Sequence, residues 1–145
     1  MKDTSHTEAG GACTLPHPLT GEGRYRIESV QNAIAQAQTA AATLMGRPQQ
    51  TPAVPWFWSD QADLKLQIAG LSNGYDEVVV RGEPDEEQFS VLYYAAGRLI
   101  AIDSVNAPRD YMVVRKVLGA GGTVPAELAG DASVPLKDLA TAAAV

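Results

Sequence analysis

Trp56, Phe57 and Trp58 stand in three consecutive positions and hold both tryptophans and one of the two phenylalanines of this 145-residue chain. Aromatic side chains dominate core energetics, so the run either anchors the chain to a sheet or offers a planar wall to a ring-shaped ligand. A second segment, Arg26-Ile27-Glu28-Ser29-Val30-Gln31-Asn32-Ala33, has the form of a helix start. Free backbone N–H groups and the positive end of the dipole at such a point can receive an electron-rich carbonyl, or the helix is simply capped. Other constellations fall away. Asp60, Asp63 and Asp103 could do acid–base work as paired carboxylates, but solvation or capping is the plainer account. His6 and His17 have no cysteine or further histidine at ligand spacing, so no metal site is expected. There is no Gly-rich dinucleotide fingerprint and no phosphate-binding loop. Gly119-Ala120-Gly121-Gly122 comes closest, but it follows a predicted helix instead of a strand and reads as a helix stop. No residue is assigned a catalytic role.

Bulk composition narrows the classes further. With 46% hydrophobic and 19% charged residues the chain is that of a soluble globular protein, of a length that fits one core. A net charge of -6 argues against nucleic acid or an anionic membrane as a bulk-charge partner. The lone Cys13 can form neither an intrachain disulfide nor a thiolate cluster, which points to a reducing cytoplasm. The polar N-terminus carries no secretory signal, and no apolar run approaches the roughly 20 residues of a membrane span.

The elements that must position these residues follow from periodicity. Residues 1–23 are rich in Gly, Pro, Thr and His without a period and read as a mobile arm. Within 24–46, Ser29 is a good N-cap, Ala33, Ile34, Ala37, Ala40, Ala41 and Leu44 follow at helical spacing, and Gly46 closes the helix. Pro48, Pro52 and Pro55 make 47–55 an extended linker and the best domain boundary. In 56–145, Leu64, Leu66 and Ile68 alternate with polar residues as a strand, and Ser72-Asn73-Gly74 signals a turn. Glu77 to Arg81, Phe89 to Tyr94 and Arg98 to Val105 follow, the last two joined tightly at Ala96-Gly97. Short connections imply antiparallel pairing and a meander of about four strands. Pro108 opens a helix that ends at the glycines from Gly119, and a short helix runs from Pro135 towards Ala143. The fold class is therefore α+β, with an antiparallel sheet of about four strands and helices on one face, preceded by a linker and one long helix.

The two segments singled out first belong to a wider pattern. Arg26 to Ala33, Pro55-Trp56-Phe57-Trp58-Ser59-Asp60-Gln61, Leu71-Ser72-Asn73-Gly74-Tyr75-Asp76 and Val79-Val80-Arg81-Gly82 resemble the C-terminal part of FAD-dependent ferredoxin reductases of the putidaredoxin and rhodocoxin reductase type. The likeness continues through Phe89-Ser90-Val91, Ile102-Asp103-Ser104-Val105-Asn106 and Pro108-Arg109-Asp110-Tyr111-Met112, and ends near Ser133-Val134-Pro135-Leu136. It implies an electron-transfer role, from NAD(P)H through FAD to an iron–sulfur ferredoxin. It also implies FAD contacts from Ser29, Val30 and Asn32 at the helix start, where the backbone faces the flavin pyrimidine. Trp58 would stand at the flavin edge, beside the docking face for the ferredoxin. In these terms 24–46 is the last helix of an FAD domain and 56–145 the reductase C-terminal, or interface, domain.

Several departures qualify that implication. The two dinucleotide-binding domains of such a reductase are missing, and residues 1–8 do not resemble the strand expected before the segment that starts at Ala9. In Ala9-Gly10-Gly11-Ala12-Cys13, Ala12 takes the place of an aspartate that would bond the ribityl chain, a charge-assisted bond of about 1.5–3 kcal/mol. Gln36 and Gln38 leave a helix face uncharged where basic residues would assist an acidic ferredoxin. The resulting expectation is a stand-alone or truncated reductase domain that is not catalytically complete alone. The alternatives are a binding or self-association module, as a homodimer, that uses the former flavin-facing surface, or a subunit that completes a flavoprotein in trans.

Overall fold

The computed structural model describes residues 14–16, 24–48 and 54–141, and the chain divides into two compact units, Met1–Pro55 and Trp56–Val145. In the first unit, β1 (Thr14–Pro16) pairs antiparallel with β2 (Arg24–Arg26). The other residues of the expected arm, with His6, Ala12, Cys13 and His17, lie outside the described residues. Helix α1 (Val30–Leu44) starts and stops where the sequence indicates. Ser29 has extended backbone, and its Oγ accepts the Asn32 N–H at 3.2 Å. Gly46 takes the left-handed conformation just past the end, with φ +70°, which an L side chain adopts only with strain. No residue of α1 is charged. The helix buries Asn32 and Gln36 while Val30, Ile34 and Leu44 are exposed, Leu44 at 90%.

The second unit is a five-stranded antiparallel sheet. Its strands are β3 (Trp56–Gln61), β4 (Leu64–Gly70), β5 (Glu77–Glu83), β6 (Gln88–Ala95) and β7 (Arg98–Val105), in the order β3-β4-β7-β6-β5. The fifth strand is the aromatic run itself: Trp56 to Gln61 pairs with Leu64 to Ala69 around a turn at Ala62, whose φ is +55°. Only β5, β6 and β7 form a meander. β4 lies beside β7, so the six residues 71–76 cross about 14 Å, three strand spacings, and the four strands make a Greek key. Gly70 is needed where β4 meets β7, because its φ is +82° and a Cβ there would stand 2.1 Å from the Ile100 carbonyl oxygen.

Helices cover one face of the sheet. Ala69, Leu92, Tyr94, Leu99 and Ile102 pack with Tyr111, Val114, Val117 and Leu118 of α2 (Pro108–Gly119), and Ala129 of α3 (Ala126–Ala129) and Leu136 of α4 (Leu136–Leu139) complete the core. Full burial of a side chain of the size of Leu92 or Ile102 contributes about 1.5–3 kcal/mol. The last helix is shorter than its apolar spacing suggests. Thr141 pairs with Thr123 in an isolated bridge, and that demands extended backbone. The Tyr94 hydroxyl is buried without a partner among the described residues, and burial raises its phenol.

A buried guanidinium closes this layer. Arg81, on β5 and 5% exposed, donates to the carbonyls of Ala129 (3.1 Å), Asp131 and Val134 (2.9 Å) and to Asp110 Oδ2 on α2 at 3.2 Å. Ser90 donates to the same carboxylate oxygen at 3.3 Å and shares a 3.0 Å bond with Ser104. Arg81→Met removes one partner of a buried pair and leaves several acceptors unmet. It is expected to cost about 3–5 kcal/mol of unfolding free energy in urea titration.

The opposite face carries its own polar pair. Tyr93 donates to Asp103 Oδ2 at 2.8 Å, with the Tyr75 ring edge-on to Tyr93 at 5.3 Å. Burial raises the Asp103 carboxyl above the usual range, and the Tyr93 bond offsets part of this. Burial, then the bond to Asp103, pushes the Tyr93 phenol up to about 12. The folded state thus disfavours charged Asp103. That unfavourable contribution is absent below the ordinary carboxylate range and grows as pH rises through the raised folded value. Asp103→Asn, whose amide oxygen can still accept from Tyr93, is expected to raise Tm at neutral pH. Thermal melts in acid should show the gain shrinking.

Candidate functional site

The start of α1 brings Ser29, Val30 and Asn32 together. The Asn32 N–H is taken by the Ser29 side chain and the Ala33 N–H by the Ser29 carbonyl at 3.0 Å. The Asn32 side chain is spent on the Ile27 carbonyl at 2.8 Å, which fixes the approach of the chain to the helix. The N–H groups of Val30 and Gln31 precede any intrahelical acceptor. No acidic residue stands in the first turn to neutralise the dipole, and Glu28 is paired with Arg26 at 2.9 Å. The arrangement suits an acceptor such as a ring carbonyl, held by backbone donors.

Trp58 belongs to the second unit. Period two along β3 puts Trp56 and Trp58 on one face, where the rings stack with centroids 5.5 Å apart and 21° between planes. The Arg115 guanidinium of α2 lies 4.2 Å from the Trp56 centroid, a cation–π contact. Trp56 therefore anchors the edge strand to the helix layer, whereas Trp58 is 45% exposed on that edge. The anchoring role is thus visible at Trp56. Phe57 points to the other face.

The carboxylates do not assemble. Asp60 sits opposite Lys65, with an exposed ion pair at 3.7 Å, while Asp103 sits opposite Ile68 and Val91 on the central strand. Gly119 to Gly122 close α2. No group of three or more metal-ligating side chains forms among the described residues, and no described helix is long and apolar enough to cross a membrane. The Tyr93–Asp103 pair was not singled out from sequence, although an acid in line with Ala101 and Val105 on a strand was its signal. A flavin meets a partial fit. The helix start can accept a ring carbonyl and Trp58 can line a ring edge, but the described residues hold no glycine-rich cradle for its phosphates.

A family model described as reductase C-terminal matches residues 56–140. Over 133 residues the chain is 45% identical to the 5,5'-dehydrodivanillate O-demethylase ferredoxin reductase subunit of Sphingobium sp., covering 91% of this chain and 32% of that protein. It is 42% identical over 135 residues to putidaredoxin reductase of Pseudomonas putida, covering 93% and 32%. Among solved structures, the ferredoxin reductase from Rhodopseudomonas palustris superposes with a TM-score of 0.80 at 46% identity, over 90% of this chain and 32% of that one. The reductase in the covalent putidaredoxin reductase–putidaredoxin complex does so with 0.82 at 41% identity, over 89% and 31%. The chain thus spans about a third of the length of the curated relatives it matches. Matched through both its sheet and its helices, the chain belongs to the reductase C-terminal family, and its relatives are ferredoxin reductases.

Proposed function

We propose that this chain is the flavin-covering and ferredoxin-docking third of an FAD-dependent ferredoxin reductase. It acts only when joined, in cis or in trans, to the nucleotide-binding body of such an enzyme. The observation that carries this reading is the division of labour at β3, where Arg115 and the stacked Trp58 hold Trp56, and Trp58 remains exposed at the sheet edge. FAD, when bound, accepts hydride from NADH and passes electrons on singly. The part of this chain is to orient the ring through the Val30 and Gln31 backbone donors, and to exclude water with Trp58. Ser29 and Asn32 act as positioning residues, since their own bonds fix the geometry of that helix start. The exposed Val30, Ile34 and Leu44 on the uncharged α1 favour work inside a larger assembly over work alone, because contiguous apolar surface marks an interaction site.

A chimera in which this chain replaces the C-terminal third of putidaredoxin reductase tests the reading. It is expected to bind FAD and to reduce putidaredoxin from NADH; FAD uptake without electron delivery to putidaredoxin would sink the docking role. Within the chimera, Trp58→Ala is expected to slow putidaredoxin reduction about tenfold or more, the scale of losing an aromatic hot spot. Ferricyanide reduction, which needs no docking, should change little in the same preparation. Arg115→Ala is expected to produce a smaller loss in the same direction, accompanied by altered tryptophan fluorescence, because it frees Trp56.

A further inference from the structure

We infer that the exposed side of α1 is a self-association seam, and that its occupant is α1 of a second copy of this chain, packed antiparallel. The inference goes beyond the reading above and does not depend on it. Val30, Ile34, Ala37, Ala41 and Leu44 are all exposed, and they follow one another at spacings of four, three, four and three residues. At about 100° per residue the five fall within an arc of about 80°, on the side opposite the buried Asn32 and Gln36. α1 thus turns amide side chains inward and apolar ones to water, the reverse of an ordinary surface helix. Alternating steps of three and four are the spacing along which a second helix packs.

Charge says which helix fits. The first turn of α1 holds no acid and the last turn no base, so neither end of the macrodipole has a neutralising side chain. A second α1 running the other way sets each positive end beside a negative one. Glu28 precedes the helix and Arg47 follows it, both exposed. With Ala37 at the two-fold axis, Glu28 comes beside Arg47 of the second copy, and Val30 beside its Leu44. Arg26 already pairs with Glu28 at 2.9 Å, and the carboxylate keeps lone pairs for a second cation. A parallel pair would instead oppose Glu28 to Glu28 and Arg47 to Arg47. The small Ala37 and Ala41 in the middle let the two backbones approach closely. One helix pair buries less than a standard interface, so the dimer is expected to dissociate on dilution.

Sedimentation velocity of the full chain over a range of concentrations tests the seam. The expected result is a reversible monomer–dimer equilibrium, weakened about tenfold or more by Ile34→Glu, which would bury a carboxylate in the seam. Ile34 is exposed, so near-ultraviolet circular dichroism of the variant should be unchanged. Glu28→Arg and Arg47→Glu, each alone, are expected to weaken the dimer several-fold, and the two combined to restore it. Direction is read by cross-linking in a Cys13→Ser background, which leaves no other thiol. Oxidation of Val30→Cys mixed with Leu44→Cys is expected to give a disulfide-linked dimer, and neither variant alone should do so. Ready self-linking of Val30→Cys would mean parallel pairing and overturns the inference. So does a dimer that neither Ile34→Glu nor the charge reversals weaken. A chain that stays monomeric at its highest soluble concentration overturns it too, and would leave the seam to the rest of a reductase.

Discussion

Arg81 brings the far edge of the sheet, the end of α3 with the loop that follows it, and helix α2 to one point. Its guanidinium meets three carbonyls between Ala129 and Val134 and the carboxylate of Asp110, all at a side chain almost removed from water. A planar fork with several fixed donors can satisfy such a set, whereas a lysine ammonium could not. The consequence reaches across the layer. Asp110 stands in the first turn of α2, and Arg115 follows five residues on, about 7.5 Å further along the axis, with a long side chain to cover more of the width of the sheet. Fixing that turn over β5 and β6 lets Arg115, further along the same helix, arrive over Trp56 on β3 at the other edge. The exposed Trp58 is placed by its stack on Trp56, so the geometry of the aromatic edge depends on a guanidinium at the opposite side of the sheet.

The two faces of the sheet have different histories in the sequence. The helix-side core was legible because Leu92 and Tyr94, or Ala69 and Ile102, occupy alternate or register-matched positions that periodicity exposes. The start of α1 was legible for a local reason: Ser29 and Asn32 make their cap within four residues. Strand β3 was hidden in the aromatic run, since three consecutive aromatics show no alternation and the strand ends in Asp60-Gln61. The Greek-key crossing was equally hidden. Ser72-Asn73-Gly74 is a turn, as read, but a turn motif does not say that residues 71–76 pass over two strands before pairing resumes.

Arg81 and Asp103 could not be read as sites from sequence, for opposite reasons. Arg81 lies 29 residues from Asp110 and about 50 from the carbonyls it binds, so nothing local announces the knot. Asp103 does break an apolar strand, but a single acid on a strand is ordinarily a solvated one. Only the register, which places Ile68 and Val91 on either side of it, shows a carboxylate set in an apolar row. Both residues lie in the segment that matches the reductase C-terminal family.

The central claim is that this chain carries what covers a flavin ring and not what holds the rest of FAD. Equilibrium dialysis of FAD against the purified chain, followed by its visible spectrum, tests this most directly. The account predicts a colourless protein with no retained flavin, because the proposed contacts, the helix start and Trp58, would meet only the ring end of FAD. A yellow protein retaining one FAD per chain and oxidising NADH would contradict it.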